Sequence, residues 1–277
     1  MVPPFSPNPL TDNGRPSSFV GGHEQDRGNA MPTFFVDRKN ISGDTAVLSG
    51  TEAGHMLRSL RLSVGDSFFA FDEEGNRYRM RILEATSRSL RAEILEAFPP
   101  EPPPDVAVSL FVGLPKADKM DFILEKATEL GVSRVTPFRS SRTIPRLDPA
   151  DARKRLSRWE RVALAAAKQC GSGRVPEVSG VVPYPEALRL AAEHEGKIVF
   201  YEGEGTFSLK RVLSGMEGVR TVALVVGPEG GFSADEVREA AAAGCRCAGL
   251  GSRILRVETA ALAVLAMVMY HFEKESA

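Results

Sequence analysis

The chain has 277 residues, 43% of them hydrophobic and 26% charged, enough apolar sequence to bury a core in one large domain or two ordinary ones. Its formal net charge of -1 excludes a global attraction to nucleic acid, so any anion-binding surface must arise from uneven placement of charge. Three cysteines (Cys170, Cys245, Cys247) cannot form a disulfide framework, and neither the lone Cys-x-Cys nor four scattered histidines has metal-ligand spacing.

Residues 1 to 30 are rich in Pro, Gly, Ser and Asn without a periodic apolar pattern, so a disordered extension is expected there, with translation beginning at Met31. From 31 to 98 short apolar runs alternate with tight turns: strands are predicted at Phe34 to Val36, Ala46 to Leu48, Ser67 to Phe71, Tyr78 to Ala85 and Leu90 to Leu95. One short helix fits Glu52 to Leu62 and carries Arg58 and Arg61. The pattern outlines a small β-barrel. Prolines at 99, 100, 102, 103 and 104 then make residues 99 to 105 a stiff extended linker between two domains.

From 106 to 277 apolar strands alternate with helical patterns. Strands are predicted at Val106 to Val112, Val132 to Pro137, Lys197 to Tyr201, Val222 to Val226 and Cys247 to Leu250. Helices are predicted at Lys119 to Leu130, Ala150 to Gln169, Pro185 to Glu195, Ala234 to Ala243 and Glu258 to Phe272. This alternation calls for a mainly parallel sheet covered on both faces. Trp159 has helical spacing with Leu156, Val162 and Ala163, and with Phe122, Ile123 and Leu130 it is expected in the core. The longest apolar run, Thr259 to Tyr270, is too short to span a bilayer, and a cytoplasmic protein is expected.

Two of these strands break into special loops. Val222 to Val226 leads into Gly227-Pro228-Glu229-Gly230-Gly231-Phe232, and Ser233 with Glu236 forms a capping box for the next helix. Cys247 to Gly251 leads into Ser252-Arg253-Ile254-Leu255-Arg256-Val257-Glu258-Thr259. Strands that end in glycine before a helix expose backbone at the carboxyl edge of a sheet, where α/β folds bind ligands, so one shared pocket is expected. Neither loop has the Lys-Ser/Thr of a Walker A motif, and Gly249-Leu-Gly251 lacks the third glycine of a dinucleotide fingerprint.

The pair GPEGGF and LGSRILRVETA resembles the 16S rRNA uracil-N3 methyltransferases of the RsmE family, in the SPOUT superfamily. The likeness extends to Leu114-Pro115-Lys116-Ala117-Asp118-Lys119-Met120, Glu125 to Gly131, Lys168-Gln169-Cys170-Gly171 and Arg174-Val175-Pro176, and covers the chain from about Met31 onward. Family members often carry Pro where Ser252 stands and Glu where Lys168 stands. The resemblance implies an α/β fold: a SPOUT-type parallel-sheet methyltransferase domain closed by a trefoil knot, preceded by a PUA-like β-barrel that contacts RNA. It implies S-adenosyl-L-methionine as cofactor, held by Val226, Gly227, Gly230, Gly231, Gly249, Leu250, Gly251, Ile254, Leu255 and Thr259. The cationic sulfonium suits loop carbonyls and Glu229 better than a helix N-terminus.

Arg256, two residues before the Glu258-Thr259 start of a helix, is the expected catalytic side chain beside Glu229: a guanidinium stabilises charge developing on uracil O2 or O4. Pairing with Glu258 or Glu229 is its structural alternative. Arg253 holds either phosphate or its own loop. The 16S rRNA or small ribosomal subunit is the implied partner, with contacts expected at Arg58, Arg61, Lys116, Lys119, Arg139, Arg142, Arg153, Arg155, Gln169 and Arg174. Between Arg139 and Arg174 ten basic residues face three acids, an excess that suits phosphate or, residue by residue, a solvated face. Asp118 can cap a helix, and its neighbours Lys116 and Lys119 can face RNA. The helix from Glu258 to Phe272, apolar around nearly its whole circumference, is expected at a homodimer interface. An inert RNA-binding adaptor is the rival from another class; a nucleotide-dependent oxidoreductase is weakened by the missing fingerprint.

Overall fold

The computed structural model describes residues 33–273, apart from 101, 103, 117–118, 145–147 and 204. The expected extension over 1 to 30, the cap at Asp118 and the basic residue Arg146 lie outside the described residues.

The first sheet holds β1 (Thr33–Phe35), β2 (Ile41–Ser42), β3 (Thr45–Ser49), β4 (Ser67–Phe71), β5 (Arg77–Ala85) and β6 (Ser89–Phe98), ordered β1-β4-β5-β6-β3-β2. Its pairs are antiparallel except β1 with β4. Alternation along β3 and β5 puts Ala46, Leu48, Tyr78, Met80 and Ile82 into one core with Phe34, Phe68 and Leu90, while the charged residues between them stay outside. Helix α1 (Gly50–Gly54) widens into a π-helical turn over His55–Ser59. The helix expected to reach Leu62 therefore stops at Ser59. Leu60 N and Leu62 N reach back to His55 O and Met56 O, a wider closure than α-helix allows, and Arg61 takes a left-handed φ of 57° outside it.

Asp72, 1% exposed, fixes the β4–β5 turn: Oδ1 accepts from Glu74 N and Asn76 N, and Oδ2 from Asn76 Nδ2 and Tyr78 Oη, at 2.8 to 3.0 Å. Burial and the Asp72 carboxylate push the Tyr78 phenol up to about 12. The tip of this turn, Gly75 at φ 84°, lies so close to the second half of the chain that a Cβ there would be 3.0 Å from Gly173 O. Glu52 of α1 forms an ion pair with Lys168.

The second sheet is wholly parallel, ordered β10-β8-β7-β13-β11-β14-β12, with β9 also paired to β8. Its strands are β7 (Ala107–Gly113), β8 (Arg134–Arg139), β9 (Glu177–Val178), β10 (Val182–Pro183), β11 (Gly196–Phe200), β12 (Phe207–Ser208), β13 (Thr221–Val226) and β14 (Arg246–Gly249). Its helices are α2 (Lys119–Glu129), α3 (Pro149–Cys170), α4 (Tyr184–Ala192), α5 (Leu209–Leu213), α6 (Ala234–Ala242) and α7 (Val257–Phe272). One face packs on α2, α5, α7 and Trp159 of α3, the other on α4 and α6. Burial on both faces explains why β7 and β13 read as largely apolar runs, with Ser109 the polar position inside β7. The two-residue strands β9, β10 and β12 and the five-residue α5 are too short to leave a period in the sequence.

Trp159 is buried, as its spacing predicts, whereas Phe122 is 48% exposed. Ile123 takes the core position on α2, and the neighbouring residue, about 100° around the helix, faces out.

Behind the sheet, His194 joins two elements: Nδ1 lies 3.2 Å from Leu190 O and Nε2 2.8 Å from Ser109 Oγ. A neutral ring donating from Nδ1 and accepting at Nε2 satisfies both. Burial lowers its pKa below the ordinary 6.5, although the backbone groups of Leu190 and Ala191 oppose the shift. A folded-state pKa below the unfolded one gives stability that is complete above the unfolded value and declines as pH falls beneath it. Thermal melts from pH 7.5 to 5 should show that decline, and His194→Gln should flatten it; an unchanged slope in the variant would exclude His194 as its source.

Candidate active site

A cavity of about 830 Å³ opens over the carboxyl ends of three adjacent parallel strands, β13, β11 and β14. Its walls are Val226 to Phe232 after β13, Phe200 to Gly203 after β11, and Ala248, Leu250 and Ile254 to Val257 after β14, with Ala234, Ala260, Lys119 and Arg142 completing it.

Close backbone packing builds the β13 wall. A Cβ on Gly113, the last residue of β7, would overlap Pro228 N, so the neighbouring loop can cross only a glycine. Gly231, at φ 67°, lets its amide return to Pro228 O at 2.8 Å. Phe232 then turns inward, its ring stacked on Phe138 at 6.1 Å and tilted against Tyr184 at 5.4 Å. The capping box forms as the sequence predicts, since Ser233 Oγ accepts from Glu236 N and Glu236 Oε2 accepts from Ser233 N. Glu236 does more than cap: its Oε1 accepts from Ser141 N at 2.7 Å, latching the loop after β8 onto the start of α6. Arg142 on that loop donates from Nη1 to Gly230 O at 3.1 Å.

Charge at the rim is organised around Lys119. Its Nζ lies 3.2 Å from Glu229 Oε1 and 3.2 Å from Glu258 Oε2. Glu229 Oε1 also accepts from Lys116 N at 3.0 Å. Glu258 Oε2 is shielded from solvent, and the Lys119 ammonium is its charge partner among the described residues. Burial alone would raise the Glu229 carboxyl, but the amides of Lys116 and Glu229 and the Lys119 ammonium outweigh it and hold the group below the usual carboxylate range. Burial likewise opposes the Lys119 charge, and the two carboxylates overcome it and raise its pKa. Arg256, immediately before α7, is exposed and lines the cavity, with no ion pair among the described residues.

Both expected loops line this one cavity, through Val226, Gly227, Glu229, Gly230, Gly231, Leu250, Ile254, Leu255 and Arg256. Gly251 and Thr259 do not line it. Gly251 sits at φ 97° where the chain swings outward, and Thr259 is exposed on α7, about 100° from Ala260 and 200° from Val257, whose face the cavity meets. Gly249 packs on Thr206 instead. Of the basic candidates only Lys119 and Arg142 reach the cavity. Arg153, Arg155 and Gln169 are strung along the 22 residues of α3, about 33 Å of helix, and Arg158 pairs with Asp121, so the basic segment is a line and not a cluster. Arg139, Arg174, Arg58 and Arg61 are exposed elsewhere, and the side chain of Lys116 is exposed although its amide meets Glu229 at the rim.

The third wall, Tyr201-Glu202-Gly203, was not among the expected site residues, nor was Gly113. Tyr201 to Gly203 repeats the signal used for the other two loops, a buried strand ending at a glycine. Nothing local marks Gly113; its neighbour Pro228 is far away in sequence.

The family model described as RNA methyltransferase domain matches residues 101–269, and that described as RNA methyltransferase PUA domain matches residues 48–95. Ribosomal RNA small subunit methyltransferase E of Mycobacterium tuberculosis is 32% identical over 241 residues, covering 85% of this chain and 90% of that protein. The Bacillus subtilis protein of the same name is 29% identical over 250 residues, covering 88% and 98%. A crystal structure of ribosomal RNA small subunit methyltransferase E from Neisseria gonorrhoeae bound to S-adenosyl methionine is similar at a TM-score of 0.77 and 31% identity, covering 87% of this chain and 98% of that one. An RNA methyltransferase domain over 101–269, a PUA domain over 48–95 and relatives that match along nearly their whole length lead to one conclusion: the chain belongs to the ribosomal RNA small subunit methyltransferase E family.

Proposed function

We propose that this chain methylates N3 of a uridine in 16S ribosomal RNA, in the cytoplasm, with S-adenosyl-L-methionine as methyl donor. The observation that carries this is the cavity at the carboxyl edge of β13, β11 and β14, together with family membership. The site's chemistry fits the donor: the volume suits a molecule of that size, the walls are strand-end backbone and apolar side chains, and Glu202 and Glu229 give the sign that a sulfonium needs. Its one lysine, Lys119, is already committed to two carboxylates, which argues against a phosphate ligand.

When bound, S-adenosyl-L-methionine supplies an electrophilic methyl group on a cationic sulfur. The residues of the chain do the positioning, which is the larger part of such a reaction. Val226, Gly227, Gly230, Leu250, Ile254 and Leu255 form the bed, and Gly231 makes the turn that closes it. Arg256 stands at the rim to stabilise charge on a uracil oxygen as the N3 proton leaves. Glu229, held below the carboxylate range, is a fixed negative charge and a poor proton acceptor.

RNA is read by the barrel of residues 31–98, joined through 99–105 to the methyltransferase domain of 106–277. Arg58, Arg61, Lys116, Arg139, Arg153, Arg155, Gln169 and Arg174 are the contacts, side-chain donors suited to phosphate and sugar oxygens. The knot of the superfamily is supported by the placing of β14 between β11 and β12 while α7 returns to pack with the β7 and β13 core. A homodimer is supported by α7: Val257, Ala261, Val264, Leu265 and Val268 are buried, while Met267 and Tyr270 remain 49% and 81% exposed, as does Phe122 on the contacting α2 at 48%.

Calorimetry should detect S-adenosylhomocysteine binding, and Gly113→Ala, which pushes the Pro228 loop outward, should weaken it about tenfold, or ~1.4 kcal/mol; absence of binding to the unaltered chain would overturn the methyltransferase reading in favour of its two rivals. Arg256→Lys, which keeps a charge but loses the planar fork, should slow single-turnover methylation by about 10²-fold with S-adenosylhomocysteine affinity nearly intact. Loss of affinity and melting temperature together with rate would make Arg256 structural. Light scattering should give a dimer at micromolar concentration and a monomer for Tyr270→Asp; a monomeric unaltered chain would end the dimer reading.

A further inference from the structure

Two acids stand near Arg256, one in sequence and one across the cavity, and neither forms an ion pair with it among the described residues. Glu258 follows it by two residues on the first turn of α7, and Glu229 lines the same cavity. In a half-buried site a guanidinium and a carboxylate attract strongly, and Arg has the fork to seize a carboxylate with two bonds. Both acids are instead engaged by Lys119, whose ammonium sits 3.2 Å from each. Glu229 has a second restraint, the Lys116 amide at 3.0 Å, but Glu258 Oε2 depends on Lys119 alone among the described residues. The lysine is 31% exposed at its side chain and engaged on two sides, so little of its charge is offered outward.

We propose that Lys119 is a positioning residue that acts as a decoy cation: by occupying Glu229 and Glu258 it keeps both from capturing Arg256, so that the guanidinium stays directed to the substrate. This rests on the reading of Arg256 as the charge-stabilising residue. Without Lys119, Glu258 is the acid released, because the Lys116 amide still holds Glu229. Arg256 then folds back on Glu258, and the rate falls although the cofactor bed is untouched.

The test is single-turnover methylation of 16S rRNA by the full chain, run beside S-adenosylhomocysteine calorimetry, RNA binding and thermal melting. Lys119→Gln should slow turnover by about 30-fold with both affinities within about threefold, Lys119→Arg should stay near the unaltered rate, and Lys119→Gln/Glu258→Gln should regain about tenfold of the loss. If Lys119→Gln does not fold, the double variant, which also removes the orphaned charge, takes its place and should turn over within about threefold of the unaltered chain. A double variant as slow as the single, or slow when folded alone, overturns the proposal. So does a loss of RNA affinity that Glu258→Gln fails to repair, which makes Lys119 an RNA contact, or a loss of cofactor affinity and melting temperature in step with rate, which makes it structural. Arg256→Ala separates the two readings: full turnover in that variant removes the role of Arg256 and the decoy with it, whereas slow Arg256→Ala beside fast Lys119→Gln removes the decoy alone.

Discussion

The crossing of the Gly113 and Pro228 backbones leaves no space for a side chain, and the cavity depends on that closeness. Adjacent parallel strands β7 and β13 end at the same level, so whatever follows β13 must pass over the end of β7. A glycine there lets the Gly227–Phe232 loop lie flat, which in turn sends Phe232 against the contacting pair Phe138 and Tyr184 and sets the start of α6. A packed interior cannot absorb one extra carbon at such a point without shifting what it touches.

Two carboxylates then tie the neighbouring segments to this loop. Glu236 splits its oxygens between the cap of α6 and Ser141, and so fixes the loop that carries Arg142. Glu229 takes the Lys116 amide and the Lys119 ammonium, and through Lys119 the start of α2 is joined to Glu258 on α7. The rim is thus braced from segments on either side of the sheet while Arg256 remains outside the network. Such bracing is what a group-transfer site requires, since a misplacement of about 1 Å can cost orders of magnitude in rate.

The barrel is seated by a different device. Asp72 satisfies four donors and so makes the β4–β5 turn rigid, and its Gly75 tip meets the backbone at Gly173, just beyond the glycine-capped end of α3. The pair Glu52 and Lys168 adds a charged contact beside it.

Much of this was legible in the residues. The alternating strands of the barrel, the largely apolar runs of β7 and β13 and the capping box of α6 are local patterns, and local patterns follow from backbone geometry and burial. The two glycine-ended strands also identified most of the cavity wall. The sequence alone did not show which end of which strand stands next to which. The Tyr201–Gly203 wall, the glycine under Pro228, the outward face of Phe122 and the exclusion of Thr259 depend on the order β13-β11-β14 and on helix rotation, neither of which has a period to read. Least legible was the fate of the charges: Lys119 reads as an RNA contact beside its own neighbours, yet its partner Glu229 lies 110 residues away, and only the fold brings that carboxylate and Glu258 to one ammonium.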